Sequence, residues 1–236
     1  GALALYMQNF MMFCLATFLG GAFAAVALTF RFAAADCVEW DLRAKALSTV
    51  LIGGVASGFV GGTVASLTMD IVPGHPFVGS YFAIGAIAIA SGLMLVGINL
   101  PKVADRHAAD GRPLKMIAGQ PRFVAAVICG LVAYLMMNFL MTSAPLAMRL
   151  QGHSQEDANL AVQWHVVAMY APSFIVGALI TRFGSDNITI LGLLIIGASA
   201  VLGLAGMSPH HFWGALIVLG IGWNFGFLGA STLVLE

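Results

Sequence analysis

Seven stretches of this chain are each long and apolar enough to cross a bilayer. They cover roughly residues 10–34, 45–69, 77–99, 123–148, 162–181, 188–206 and 211–235. A helix needs about 20 apolar residues to traverse the hydrocarbon core. None of the runs alternates polar and apolar side chains, as a membrane barrel strand would. A helix satisfies its own backbone hydrogen bonds in lipid, so the runs read as transmembrane helices. The expected fold class is therefore all-α, a polytopic helical membrane protein with seven transmembrane helices. Composition agrees, with 60% hydrophobic and only 8% charged residues. An ordinary soluble domain carries roughly 25% charged residues. So few charges cannot cover a water-facing surface, which excludes a soluble enzyme.

Lys and Arg total 10, as do Asp and Glu, so no basic excess exists to bind nucleic acid. Cys14, Cys37 and Cys129 have no paired spacing, and no disulfide framework or zinc site is expected. Residue 1 is Gly, just before a span, and Glu236 stands where a span finishes. Both ends read as cut, so a longer parent protein is expected.

The loops fix an orientation. Arg31, Arg43 and Lys45 lie between spans one and two, and Lys102, Arg106, Arg112, Lys115 and Arg122 between spans three and four. Arg182 follows span five. The intervening connections hold only Arg149, so nine of the 10 basic residues fall on one side. Cytoplasmic loops are enriched in Lys and Arg, so the first span should run from outside to inside. Trp164 and Trp213 fall at outer helix ends and Trp40 in an inner loop. Residues 101–121 form the longest polar stretch and read as a cytoplasmic linker, with a plain loop as the alternative. A faint repeat places an acid sixteen residues after a Leu-Gly pair twice, at Gly20/Asp36 and at Gly220/Glu236.

This pattern resembles the major facilitator superfamily, whose members have two bundles of six helices. Gly177-Ala-Leu-Ile-Thr-Arg-Phe-Gly184 is similar to the inner-loop signature GxLxxRxG of that family, with Thr181 where an acid is usual. Gly53-Gly-Val-Ala-Ser-Gly-Phe-Val-Gly-Gly62 resembles the glycine-rich motif of its fifth helix, without the usual Pro. The basic linker after span three resembles its central loop. Arg31-Phe-Ala-Ala-Ala-Asp36, Met141 to Met148 and Gln163-Trp-His165 are similar to a bacterial branch with unassigned substrates. The resemblance covers essentially the whole chain and equates the seven spans with helices four to ten. It implies a partial two-bundle architecture. Residues 1–100 would be the remainder of an N-terminal bundle, 101–121 the linker, and 122–236 an incomplete C-terminal bundle. It also implies a secondary transporter in a bacterial inner membrane, moving a small solute by alternating access.

Candidate functional residues follow. Gly54, Gly58 and Gly62 share one helix face, where small residues let helices approach closely. They would either pack a neighbour or form a sliding face. Tyr134, Asn138, Met141 and Thr142 share a face of span four. An amide facing lipid is costly, so Asn138 should face a bundle interior, as part of a solute site or a helix contact. Pro145 is placed to kink this span near its outer end. His165 is the ionisable side chain clearly inside a span. It would serve as a proton carrier, or stand solvated near the outer end. Trp223 and Asn224 sit mid-span among glycines and would contact solute or pack the core. At the inner face, Arg182 is expected to pair with Glu236 or with an acid between Asp36 and Asp41, closing an inner gate. The alternative is a solvated cation.

No enzyme chemistry is expected. His210 and His211 are adjacent and point apart, and no HExxH occurs. Ser57-Gly58 and Ser91-Gly92 lack the flanking Gly of a nucleophile elbow, and no carboxylate dyad falls within the spans. No catalytic residue, metal site or cofactor is expected. The expected partners are the lipid bilayer, a small solute and a coupling proton. Competing readings are a seven-helix receptor, although span seven lacks the Lys a retinal protein needs, and a non-catalytic assembly subunit.

Overall fold

In a computed structural model, residues 1–97 and 113–235 are described. A short helix α1 (Ala2–Tyr6) precedes α2 (Phe10–Asp36), and a 3-10 turn (Trp40–Leu42) leads into α3 (Arg43–Thr68). There follow α4 (Val78–Leu95), the short α5 (Leu114–Ala118) and α6 (Pro121–Leu150). The chain then forms α7 (Gln155–Tyr170), α8 (Ser173–Phe183), α9 (Ser185–Leu204) and α10 (Pro209–Leu235). Among the described residues no strand occurs.

Among the described residues, seven segments are long and apolar enough to cross a membrane, with α7 and α8 forming one of them. All seven expected spans are present. Most of the expected linker, residues 98–112, lies outside the described residues, and α5 occupies its end. Span five begins earlier than expected, at Gln155. Its first turn is polar, and Ser154 caps it by accepting from the Asp157 N–H at 3.0 Å. Span five is also broken at Ala171-Pro172, where Pro172 has no N–H to donate to the carbonyl four residues back. By contrast, α6 continues through Pro145. α8 and α9 are separated by Gly184 alone, whose φ of 86° suits glycine.

The chain divides into two units, residues 1–30 with 60–102, and residues 31–59 with 103–236. In the first unit α1 packs on α4, and the Tyr6 ring lies 4.7 Å from the His75 ring. In the second unit α10 is central, packing against α6, α7, α8 and α9. A helix apolar all round is one that is buried or lipid-embedded, and α10 is buried on every face between Leu216 and Leu233.

Glycines set the spacing around α10. A Cβ at Gly192 of α9 would fall on the backbone of Gly226, and one at Gly222 would come 2.7 Å from the Ile196 nitrogen. A Cβ at Gly220 would come 2.7 Å from the His165 carbonyl oxygen of α7. Without a hydrophobic drive between helices in lipid, such close backbone approach supplies the packing energy.

Candidate functional site

The second unit holds an aromatic cluster built on α10. Trp223 and Phe227 lie one turn apart and stack with centroids 4.8 Å apart. Tyr134 of α6 approaches Phe227 at 5.6 Å, and Tyr170 at the end of α7 meets Trp223 edge-on at 5.9 Å. Arg31 of α2 places its guanidinium carbon 4.1 Å from the Phe227 centroid. Arg31, expected in an inner loop, lies within α2 and is buried. The rings of Phe32 and Phe227 both lie against its guanidinium.

Several polar atoms here are buried without hydrogen-bond partners. They are Nε and Nη1 of Arg31, Nε1 of Trp223, Oδ1 of Asn224 and Nε2 of His165. Buried polar groups are ordinarily paired, so such a concentration is a feature to explain. Asn224 is fully buried, and its Nδ2 donates to the Met169 carbonyl at 2.6 Å and to Ser173 Oγ at 2.7 Å. Half of this amide is therefore committed to the broken span.

His165 is likewise fully buried, not solvated at an outer end. Its Nδ1 lies 2.6 Å from the Leu216 carbonyl oxygen. A carbonyl only accepts, so Nδ1 carries the proton and donates. α7 and α10 approach closely here, a Cβ at Gly220 coming within 2.9 Å of the Met169 nitrogen.

The expected α6 face separates. Tyr134 joins the cluster, but Asn138 and Thr142 are exposed, and Thr142 Oγ1 donates to its own helix at Asn138 O, 2.8 Å away. The interior placement expected of Asn138 is not met within this chain. Ala133, Met137 and Met148 are α6 residues turned into the core, and position 138 lies about 100° further round the helix from Met137.

The glycine face is also divided. A Cβ on Gly54 would clash with the Tyr170 ring, and one on Gly58 would come 3.2 Å from Val166 and Val167. Gly62 is half-buried and belongs to the other unit. Gly177 of the loop signature packs its bare face on Ala44, Lys45 and Ser48 of α3.

Arg182 does not pair with Asp36, Glu39 or Asp41. Among the described residues it makes no salt bridge, and Glu236 lies outside them. Arg182 is exposed in the last turn of α8, with its guanidinium carbon 5.1 Å from the Phe183 centroid. There water and the negative helix end stabilise a cation without a carboxylate. The ion pair on the described residues is instead Arg122 with Asp186, at 3.2 Å between the starts of α6 and α9. The C-terminal end of α2 and the N-terminal half of α3 meet α8, α9 and α10 through apolar contacts. Ala35, Ala44, Leu47 and Leu51 form one core with Val176, Ile180, Ile188, Phe225 and Leu228.

A separate cavity of about 370 Å³ lies between α6, α9 and α10, lined by Leu140, Ser143, Ser199, Phe212 and Leu216 among others. Its lining offers few polar groups. Among the described residues no cluster of metal-ligating side chains occurs.

Comparison with known proteins places these features in context. The chain is 44% identical over its whole length to a riboflavin transporter, RfnT, of Brucella anthropi, and spans 60% of that protein. It is 30% and 27% identical to two uncharacterized MFS-type transporters of Bacillus subtilis, YddS and YdeG, over 92% of the chain and 54% of each relative. No family model matches the chain. No solved structure matches it. The chain thus spans between half and two thirds of the length of the curated relatives it matches.

Proposed function

Because this chain belongs to the major facilitator superfamily, we propose that it forms part of a secondary transporter moving a small planar heteroaromatic solute by alternating access. The observation that carries this reading is the Tyr134, Phe227, Trp223 and Tyr170 cluster bordered by unpaired polar atoms on Trp223 and Arg31. Aromatic faces offer large stacking area with few internal rotations to freeze, and a buried donor without a partner favours a solute that supplies an acceptor. The riboflavin transporter among the relatives makes a flavin the first solute to test.

On this reading the bundles flank the 101–121 linker, and Tyr134, Trp223 and Asn224 contribute to a site near the bilayer midplane. Asn138 and Thr142 are exposed here and would meet solute from the other side of the site. Opening requires Trp223 and Phe227 to part. The apolar contact of Leu47 and Leu51 with Val176 and Ile180 serves as an inner gate, in place of an Arg182 clamp. Small residues such as Gly54, Gly58 and Gly177 let that contact close tightly. His165 is the proposed proton carrier, with its free Nε2 as the accepting atom.

The test is riboflavin uptake into liposomes by the full-length protein. Trp223→Ala should lower uptake about tenfold, the equivalent of ~1.4 kcal/mol of lost binding. Undiminished uptake by Trp223→Ala and Asn138→Ala proteins inserted at normal levels would refute the site.

A further inference from the structure

Arg31 is 6% exposed and lies inside α2, a membrane-crossing helix. Its Nε and Nη1 are buried with no hydrogen-bond partner. Among the described residues no carboxylate pairs with it. A buried cation in a span is costly unless something completes it, and such residues mark solute or ion pathways. The aromatic contacts at 4.1 Å to Phe227 and 4.8 Å to Phe32 offset part of the cost through the ring faces. They do not engage the N–H groups, which lie in the guanidinium plane.

The chemistry of the neighbouring unpaired group is the same. Trp223 stacks on the ring that Arg31 covers, and its buried Nε1 is a donor without a partner. An indole nitrogen and a guanidinium can only donate. Two donor groups therefore border one aromatic surface with nothing to receive them.

We infer that Arg31 is a solute-binding residue, and that it receives a ring edge carrying carbonyl or ring-nitrogen acceptors. This rests on the transport reading above and narrows its solute class. A flat hydrocarbon would leave both donors unpaired. A cationic ring would oppose the guanidinium. A neutral or anionic ring with acceptors along one edge satisfies both and still stacks on the cluster.

The experiment measures binding of two tricyclic probes to the full-length protein by equilibrium dialysis. Lumichrome carries two ring carbonyls, and carbazole carries neither a carbonyl nor an acceptor nitrogen. The unaltered protein should prefer lumichrome. Arg31→Gln should weaken lumichrome binding at least about tenfold, the scale of a charge-assisted hydrogen bond, and leave carbazole binding unchanged within about twofold. Arg31→Lys should keep part of the preference. A merely structural arginine would weaken both probes together, and that result overturns the inference, as does an unchanged preference. Should Arg31→Gln protein fail to accumulate, Arg31→Lys decides alone: its preference must fall, and an unaltered one overturns the inference. If the unaltered protein binds neither probe, the solute class falls and takes this inference with it. If it binds lumichrome while Arg31→Gln keeps the preference, only the arginine assignment fails.

Discussion

The side-chain amide of Asn224 on α10 donates to the carbonyl oxygen of Met169 on α7 at 2.6 Å, three residues before Pro172. The same nitrogen also donates to Ser173 Oγ, on the far side of the break. Proline interrupts the helical ladder, and in lipid no water replaces the missing donor. A neighbouring helix therefore fastens both sides of the interruption. Asn224→Ala should lower the stability of the purified protein by about 1–3 kcal/mol. Pro172→Ala, which lets the helix run on so that the Ser173 N–H can reach the Met169 carbonyl, should shrink that cost by at least about 0.5 kcal/mol, since the two sites are coupled. Thermal unfolding in detergent of the single and double variants measures both, and additive effects would refute the coupling.

Close packing of α9 on α10 predicts a contrast within one helix. An added Cβ at Gly192 would fall on the Gly226 backbone, whereas Gly197 has nothing within 4 Å. Gly192→Ala should destabilise by about 1–3 kcal/mol, the range of overpacking. Gly197→Ala should be neutral or gain up to about 1 kcal/mol from helix propensity. Equal unfolding midpoints for the two variants would contradict this packing.

A similar contrast tests the glycine face of α3. The Cβ of Gly54→Ala would clash with the Tyr170 ring, while Gly53 faces open space. Gly54→Ala should displace Tyr170 from Trp223, its edge-on neighbour at 5.9 Å, and reduce uptake severalfold. Gly53→Ala should transport normally. Intrinsic tryptophan fluorescence, compared with that of Trp223→Phe, reports the displacement, and an unchanged spectrum would oppose it.

His165 allows the proton role to be separated from a packing role. Its Nδ1 donates to the Leu216 carbonyl, a bond that Gln can replace without titrating. If His165 carries the coupled proton, His165→Gln should fold normally yet lose uptake driven by an imposed pH gradient. Exchange of solute across the membrane without a gradient should persist. Full gradient-driven uptake by this variant would confine His165 to packing.

The spans were legible because the thickness of the hydrocarbon sets a length that any apolar helix must meet, wherever it packs. The start of span five was missed because Glu156 and Asp157 dilute its apolar run, although Ser154 ahead of them was a readable cap. Its break was visible in principle as Pro172, but a proline equally occurs within a continuous helix, as Pro145 does in α6. Tyr134, Trp223 and Asn224 were identifiable as polar or amphipathic groups in apolar surroundings. Arg31 was misread because the positive-inside pattern treats a cation near a span's end as loop.

The sequence by itself determined the number of apolar spans and, apart from the start and break of span five, roughly where each lies, since those follow from local hydropathy. Only the tertiary structure decided which faces meet. These helices are apolar nearly all round, so no amphipathic stripe marks the buried side. The burial of Arg31, the enclosure of His165 and the exposure of Asn138 follow from which helix approaches each face. That approach is a property of two helices at once, and one segment's pattern does not contain it.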